Sequence, residues 1–163
     1  MQVGKEEIFI AAIKENEEII FKIASVYTDT VDDKSDLVQE IIYQLWKSFD
    51  TFKQKSSLST WMYRVALNVA IYQLNKSKKK IATVPLNGKA LNLYDNDNNA
   101  TEERLQLFKQ QLDKLNLLEK GIVLLYLENK SYAEIAAITG ISESNVGTKL
   151  SRIKEKLKAQ ISK

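Results

Sequence analysis

The fold is decided by residues 131–157, which read SYAEIAAITGISESNVGTKLSRIKEKL. Ser131 and Glu134 have the spacing of a capping box, which predicts the start of a short helix. Gly140 permits the turn that ends this helix, and Ser142 is suited to cap the next one. The stretch therefore predicts two short helices joined by a tight turn and set at a steep angle.

The spacing of the small and apolar residues in this stretch is that of a helix-turn-helix. Ala136 stands four residues before Gly140 and ten before Val146. A small side chain at the first of these positions lets the two helices cross closely. The alternative is an unrelated pair of antiparallel helices.

The second helix of this motif is amphipathic. At about 100° per residue, one side collects Val146, Leu150, Ile153 and Leu157. The opposite side collects Ser144, Thr148, Ser151 and Glu155, flanked by Gly147 and Arg152. Small hydroxyls and one Arg can approach base edges in a major groove, while phosphates can be held by Lys149, Lys154, Lys156 and Lys158. The alternative is that this polar side of the helix only faces solvent and binds no DNA.

Three helices are predicted upstream. The first spans about 5–27, with its apolar stripe at Ile8, Ala12, Ile19, Ile23 and Val26. The second is capped by Ser35 and has its apolar stripe at Leu37, Val38, Ile41, Ile42, Leu45 and Trp46. Its solvent-facing side carries Asp36, Gln39, Glu40 and Gln44. The third begins near Ser59, buries Trp61, Val65 and Val69, and ends in the basic run 76–80.

A linker is predicted at 81–101, because Pro85, Gly88 and an Asp/Asn cluster oppose regular structure there. The cluster alternates like a calcium loop, but Ala100 and Gln106 stand where Gly and Glu are required, so no metal site is expected. A fourth helix follows through Leu105, Phe108, Leu112 and Leu115, and a fifth begins near Leu118 and carries Ile122, Leu125 and Tyr126.

Composition agrees with an all-α fold, because 163 residues include one Pro and five Gly. The absence of His and Cys excludes imidazole bases, thiol nucleophiles, disulfides and the usual zinc ligand sets. No stretch suits a membrane span or a secretory signal, which predicts a soluble, intracellular protein. No cofactor is expected.

Charge is segregated along the chain, although the net charge is only +3. Residues 1–46 carry −6, residues 47–80 carry +7 and residues 144–163 carry +5. Two basic segments are what a polyanion-binding protein needs, because each phosphate that Lys or Arg neutralises releases a counterion. A solvated helix face is the plainer explanation of either segment alone.

Three segments together resemble a known family. DLVQEIIYQLW at 36–46, LSTWMYRVALNVAIYQLNKSKKK at 58–80 and the stretch 131–157 resemble bacterial RNA polymerase sigma factors of the extracytoplasmic-function type, in the sigma-70 family. The resemblance implies two small helical domains joined by a flexible linker. Residues 1–80 would be a region-two domain of three or four helices that binds core polymerase and melts the minus-ten element. Residues 102–163 would be a region-four helix-turn-helix domain that reads the minus-thirty-five element.

The resemblance also implies roles for individual residues. Contact with the polymerase clamp helices falls to Asp36, Gln39, Glu40 and Gln44. Contact with minus-ten DNA falls to Lys53, Lys55, Leu58, Asn68, Lys76, Lys78, Lys79 and Lys80, with the Asn68 amide reading an extruded base. Contact with the minus-thirty-five duplex falls to Ser144, Gly147, Thr148, Lys149, Ser151 and Arg152.

Several positions depart from the family pattern. Leu67 stands where a basic residue is frequent, Tyr72 where an Asp is, and Asn75 where an Arg is. Gly147 replaces a basic or polar side chain, so the duplex is expected to receive no side-chain contact from that position. Trp61 is expected in the core rather than as a stacking platform.

The expected function is a non-catalytic initiation factor that binds the clamp helices and flap of core polymerase together with promoter DNA, with an anti-sigma factor as a possible further partner. One alternative is a helix-turn-helix regulator whose N-terminal part dimerises or senses a ligand. A hydrolase with Asp/Glu pairs is another, but no paired carboxylates are predicted on facing helices.

Overall fold

The computed structural model describes residues 4–52, 57–81 and 100–161, and within these ranges the chain is all-α. The α-helices in chain order are α1 (Lys5–Glu15), α2 (Glu17–Tyr27), α3 (Val31–Ser48), α4 (Leu58–Ile81), α5 (Ala100–Leu112), α6 (Leu117–Leu127), α7 (Tyr132–Thr139) and α8 (Glu143–Ile161). A short 3₁₀ turn, Phe49–Thr51, follows α3. No helix of the described ranges is long and apolar enough to cross a bilayer.

The prediction of one helix over 5–27 is wrong, because the chain breaks at Asn16. This residue has φ −123° and ψ 18°, and its side-chain amide donates a hydrogen bond to the Ala12 carbonyl at 3.0 Å. An Asn amide offers the backbone a local alternative to the helix, which favours an interruption. The break also changes the buried face of α1, since Phe9 is buried while Ile8 is 49% exposed.

The first half of the molecule comprises α1 to α4, and the second half comprises α5 to α8. The first half is built on the packing of α2, α3 and α4. On the predicted apolar stripe of α3, Leu37, Ile41 and Leu45 are buried, whereas Val38, Ile42 and Trp46 are half-buried. The predicted cap Ser35 is wrong, because α3 begins at Val31 and the Thr30 hydroxyl accepts from the Asp33 amide. Trp61 is buried as predicted, but Val65 and Val69 are only half-buried. The helix turns Met62, Ala66 and Ala70 fully inward instead. Apolar residues occupy both sets of positions, so periodicity alone does not decide between them.

The structure confirms the two caps and the glycine turn of the predicted helix-turn-helix, while Ala136 and Leu157, predicted on the inward side, are half-buried. The Ser131 hydroxyl accepts from the Glu134 amide at 3.1 Å, and the Glu134 carboxylate accepts from the Ser131 amide at 2.9 Å. The hydrogen bond from the Ser131 backbone amide to the Glu134 carboxylate lowers the pKa of Glu134. Gly140 ends α7 in the left-handed region at φ 86°, and the Ser142 hydroxyl accepts from the Asn145 amide. Val146, Leu150 and Ile153 are buried.

The two halves of the chain pack against each other, which the sequence did not predict. The Tyr27 hydroxyl donates to the Leu117 carbonyl at 2.6 Å, and the Arg64 guanidinium donates twice to the Ala137 carbonyl, at 2.8 and 3.2 Å. Lys109 of α5 lies at the end of α2, where its ammonium donates to the Thr28 carbonyl. Polar contacts among the described residues therefore join the halves at several separate places.

A charged pair adds to this packing. The Lys22 ammonium lies 2.9 Å from a Glu128 carboxylate oxygen, and this hydrogen bond raises the pKa of Lys22. The Tyr63 hydroxyl donates to the same carboxylate at 3.4 Å. Burial, followed by the Glu128 charge, raises the pKa of Tyr63 to about 12. The Lys22 amine and the Tyr63 phenol are thus both protonated at neutral pH.

A glycine gives the two halves room to meet. At Gly121 of α6, an added Cβ would lie 2.7 Å from Leu67 Cδ1 of α4 and 3.0 Å from the Tyr27 hydroxyl. Leu67 is buried, with 2% of its surface exposed. Leu67, which departs from the family pattern, thus fills the space left by the absent side chain of Gly121.

The predicted linker, 81–101, lies outside the described residues from 82 to 99. Helix α4 continues to Ile81 and α5 begins at Ala100, so both helices reach slightly into the predicted linker. The domain boundaries at 80 and 102 stay a prediction.

Candidate nucleic-acid interface

The exposed face of α8 lines an open groove at the end of the second half. The groove is bordered by Tyr132, Glu143, Ser144, Gly147, Thr148, Ser151 and Arg152. The side chains of Ser144, Thr148, Ser151 and Arg152 are exposed, as predicted, while Gly147 and Lys149 are half-buried. The structure therefore brings the predicted minus-thirty-five residues together on one helix.

The Arg152 guanidinium is available for a ligand. No hydrogen bond or ion pair engages it within residues 4–52, 57–81 and 100–161. Thr148, by contrast, donates its hydroxyl proton to the Ser144 carbonyl of its own helix at 3.1 Å. A free guanidinium on an exposed helix face can bind either a guanine edge or a phosphate.

Two residues of this groove were missed by the sequence analysis. Tyr132 begins α7, and Glu143 begins α8. Each directly follows a predicted helix cap, Ser131 or Ser142. Their position at helix starts was the available signal.

A second exposed strip runs along α4. Asn68 and Lys76 are exposed, together with Tyr72 between them. Their spacing of four residues places them on one side of the helix. Arg64 is on the same side, but its guanidinium is engaged by the Ala137 carbonyl of α7. This strip combines an amide, an aromatic ring and a cation, which are the groups that hold single-stranded nucleic acid.

The remaining predicted minus-ten residues are placed differently. Leu58 is half-buried and packs against the core. Lys53 and Lys55 lie outside the described residues, as do the side chains of Lys78, Lys79 and Lys80, whose backbone continues α4. Trp61 is stacked on Phe52 with ring centroids 4.9 Å apart.

The predicted polymerase-binding residues lie along α3. Asp36 and Gln39 are exposed, whereas Glu40 and Gln44 are half-buried and joined by a hydrogen bond from the Gln44 amide to the Glu40 carboxylate at 2.9 Å. The pair is therefore less available to a partner than the other two residues.

An apolar groove, which the sequence analysis missed, adjoins Gln39. It is lined by Glu6, Phe9, Ile10, Gln39, Ile42, Tyr43 and Trp46. Ile10 and Tyr43 are exposed there. The groove forms because α1 packs on α3, and no sequence pattern within either helix predicts that packing.

The chain matches two sequence profiles. Residues 12–80 match "Sigma-70 region 2", and residues 105–157 match "Sigma-70, region 4". Among curated relatives, RNA polymerase sigma factor SigV of Bacillus subtilis is 27% identical over 163 residues, covering 96% of this chain and 92% of SigV. The ECF RNA polymerase sigma-E factor of Escherichia coli K12 is 26% identical over 167 residues, covering 95% and 87%.

Solved structures show the same fold. The sigma factor RpoE of Bartonella quintana, in complex with the anti-sigma factor NepR, aligns with a TM-score of 0.73 at 19% identity and covers 96% of both chains. CnrH, in complex with the cytosolic domain of CnrY, aligns with a TM-score of 0.72 at 21% identity and covers 98% of this chain and 90% of its own.

Proposed function

Because this chain belongs to the sigma-70 family of RNA polymerase sigma factors, in the extracytoplasmic-function group, its function is promoter-specific initiation of transcription, and we propose how its two halves divide that function. The second half reads the minus-thirty-five element and the first half reads and melts the minus-ten element. The Arg152 guanidinium, exposed on α8 and unengaged by the residues that the structure describes, is the observation that carries the proposal.

The second half uses α8 as a recognition helix in the major groove. Its buried face anchors the helix on α6 and α7, so the opposite face is held rigidly toward the duplex. Ser144, Thr148, Ser151 and Arg152 approach base edges, and Lys149 approaches phosphates.

The first half uses the strip on α4 and the loop before it. Asn68 reads the Watson–Crick edge of an extruded base, and the exposed Tyr72 ring offers a stacking surface beside it. Phosphates are held by Lys53, Lys55, Lys76, Lys78, Lys79 and Lys80. Trp61 supports this site from the core and does not stack on a base, since it is buried against Phe52.

Core polymerase binds through the exposed side of α3. Asp36 and Gln39 supply polar contacts to the clamp helices, while Tyr43 and Ile10 supply apolar area beside them. Glu40 and Gln44 hold each other in position, and the second half contacts the flap. An anti-sigma factor is a further candidate partner, because the structurally similar RpoE is bound to one. The chain acts in the cytoplasm, hydrolyses nothing and needs no cofactor.

The alternative of a regulator with a sensing or dimerising N-terminal half has no support, because residues 12–80 match region 2. Run-off transcription with purified core polymerase tests the proposal. The expected result is a promoter-dependent transcript together with co-elution of the chain and core enzyme. Palindromic operator binding without polymerase would favour the regulator instead.

The packed arrangement of the halves has to open on the promoter. Elements centred near −10 and −35 are roughly 25 base pairs apart, which corresponds to about 85 Å of duplex at about 3.4 Å per base pair. A packed chain of this length has a radius of gyration of about 15 Å, so it cannot reach both elements. The contacts at Gly121, Glu128 and Ala137 therefore break when polymerase engages the chain.

Placing a larger side chain at Gly121 is expected to favour the open form. Gly121→Leu would force carbon atoms into the space of Leu67, where even a Cβ is too close. We expect a larger radius of gyration by solution scattering with unchanged helix content, and a core affinity raised about tenfold for each 1.4 kcal/mol of packing removed. Gly4→Leu, where a Cβ meets nothing within 4 Å, is the control. An unchanged radius in the Gly121 variant would argue against this opening.

The basic run at the end of α4 is expected to set part of the salt dependence. Replacing Lys78, Lys79 and Lys80 by Ala should reduce the slope of log affinity against log salt, for open-complex formation, by about 2 in magnitude, because single-stranded contacts contribute about 0.7 each. The control replaces Lys14, Lys34 and Lys114, which removes equal charge elsewhere. An unchanged slope in the first variant would remove these residues from the DNA surface.

A further inference from the structure

The Tyr132 ring lies against the recognition helix at the position of its glycine. A Cβ added to Gly147 would lie 3.4 Å from Tyr132 Cε2 and 3.8 Å from Cδ2. The Tyr132 side chain is 42% exposed and borders the same groove as Thr148, Ser151 and Arg152. The ring therefore covers the part of the reading face where residue 147 contributes no side chain.

The backbone of Tyr132 is held firmly in this place. Tyr132 follows the helix cap Ser131, and the reciprocal hydrogen bonds between Ser131 and Glu134 fix the first turn of α7 around it. The buried Ile135 and Val146 pack the two helices of the motif together. A ring positioned by a capped helix and a packed core presents the same surface to each incoming duplex.

Only one feature of the bases in the major groove suits the apolar edge of this ring. The other described side chains that border it are hydroxyls, a carboxylate and a guanidinium, all of which form hydrogen bonds. The carbon edge of a phenol ring is apolar. In the major groove the apolar feature that distinguishes one base from the others is the C5-methyl group of thymine.

We propose that Tyr132 is a specificity-determining residue, whose ring contacts a thymine methyl group in the minus-thirty-five element and serves where Gly147 has no side chain to reach the duplex. The inference rests on the proposed function and adds a base preference to it. It also gives Gly147 a role, since a longer side chain there would displace the ring from the reading face.

Substitution of single thymines by deoxyuridine tests this contact, because it removes the methyl group alone. The minus-thirty-five element is first selected from a random pool by holoenzyme reconstituted from core polymerase and this chain. Each thymine is then replaced in turn, and holoenzyme binding is measured. We expect one replacement to weaken binding about fourfold, which corresponds to one buried methyl group.

Three variants decide which part of Tyr132 is used. Tyr132→Phe should keep the fourfold effect, and Tyr132→Ala should remove it, so that thymine and deoxyuridine bind equally. Tyr126→Ala is the matched control, because Tyr126 has similar exposure in the same half but does not border the groove. It should keep the effect. Circular dichroism melts check that each variant folds.

Several results would overturn the inference. A selected element without thymine, or one in which no deoxyuridine replacement matters, contradicts it. Equal losses for Phe and Ala on every sequence would instead indicate a hydroxyl contact to phosphate. Core binding by the wild-type chain, measured in the same preparation, separates the two proposals: if core binding holds and the methyl effect is absent, only the role of Tyr132 fails. A chain that binds no core enzyme overturns the proposed function and this inference with it.

Discussion

Covalent closure of the two halves is expected to abolish promoter-dependent transcription. The residues to join are Lys22 and Glu128, whose charged groups lie 2.9 Å apart across the two halves and reach the surface. The chain has no cysteine, so Lys22→Cys with Glu128→Cys introduces the only thiols. A short bismaleimide with an internal disulfide then closes the chain, and the reductant-cleaved product is open again.

The amount of run-off transcript is expected to fall by more than about 100-fold. A closed chain with a radius of gyration of about 15 Å cannot span elements about 85 Å apart. Reduction of the cross-linker should restore the transcript. The unreacted double variant should stay near wild type, since a surface ion pair contributes only about 0–1 kcal/mol.

A second cross-link within one half controls for the chemistry. Lys5 and Asp50 also form a surface ion pair at 3.0 Å, but both belong to the first half. Lys5→Cys with Asp50→Cys, treated identically, should retain transcription. If the cross-link between residues 22 and 128 is tolerated as well as the one between 5 and 50, the halves do not need to separate.

Arg152→Ala is expected to lower transcription from promoters that depend on the minus-thirty-five element by about 5- to 150-fold, the range of one good bidentate contact to a base. The reason is the position of the guanidinium, which is exposed on the reading face and unengaged within the described residues. Core binding, measured by co-elution, should not change. An equal loss of core binding would refute the assignment.

The pattern of the Arg152→Ala loss shows what the guanidinium binds. Relaxed discrimination at one base pair indicates a guanine, while a uniform loss with a salt slope smaller by about 1 indicates a phosphate. Lys154→Ala is the control of equal charge. Its ammonium is held over the Tyr126 ring, 4.7 Å from the centroid, so we expect only a uniform and smaller effect.

The helix-turn-helix was predictable because its determinants are local. Ser131, Glu134 and Gly140 act within one or two turns, and a sequence displays such spacings directly. The break at Asn16 has a local cause too, but the continuous apolar periodicity on either side concealed it. Periodicity reports which residues are apolar more reliably than it reports where one helix ends.

The packing of the halves could not be predicted, because its determinants are far apart in the chain. Leu67 contributes only when it meets Gly121, and Lys22 only when it meets Glu128. By sequence alone, Leu67 is a departure from a family pattern with no evident reason. The groove beside Gln39 was missed for the same reason, since it needs α1 on α3. The residues predicted for the minus-thirty-five element lie on one helix, α8, which is why the sequence pattern could group them.

The fit of Leu67 against Gly121 affects the fraction of core polymerase that this chain binds. A chain that spends most of its time closed offers only its open fraction to the enzyme, so its apparent dissociation constant rises by the inverse of that fraction. Residues 67 and 121 touch neither polymerase nor promoter in this scheme. Their fit would nevertheless affect how well the chain competes with other initiation factors for core polymerase. A substitution that adds or removes one methyl group there would change the transcription of every gene that depends on this chain.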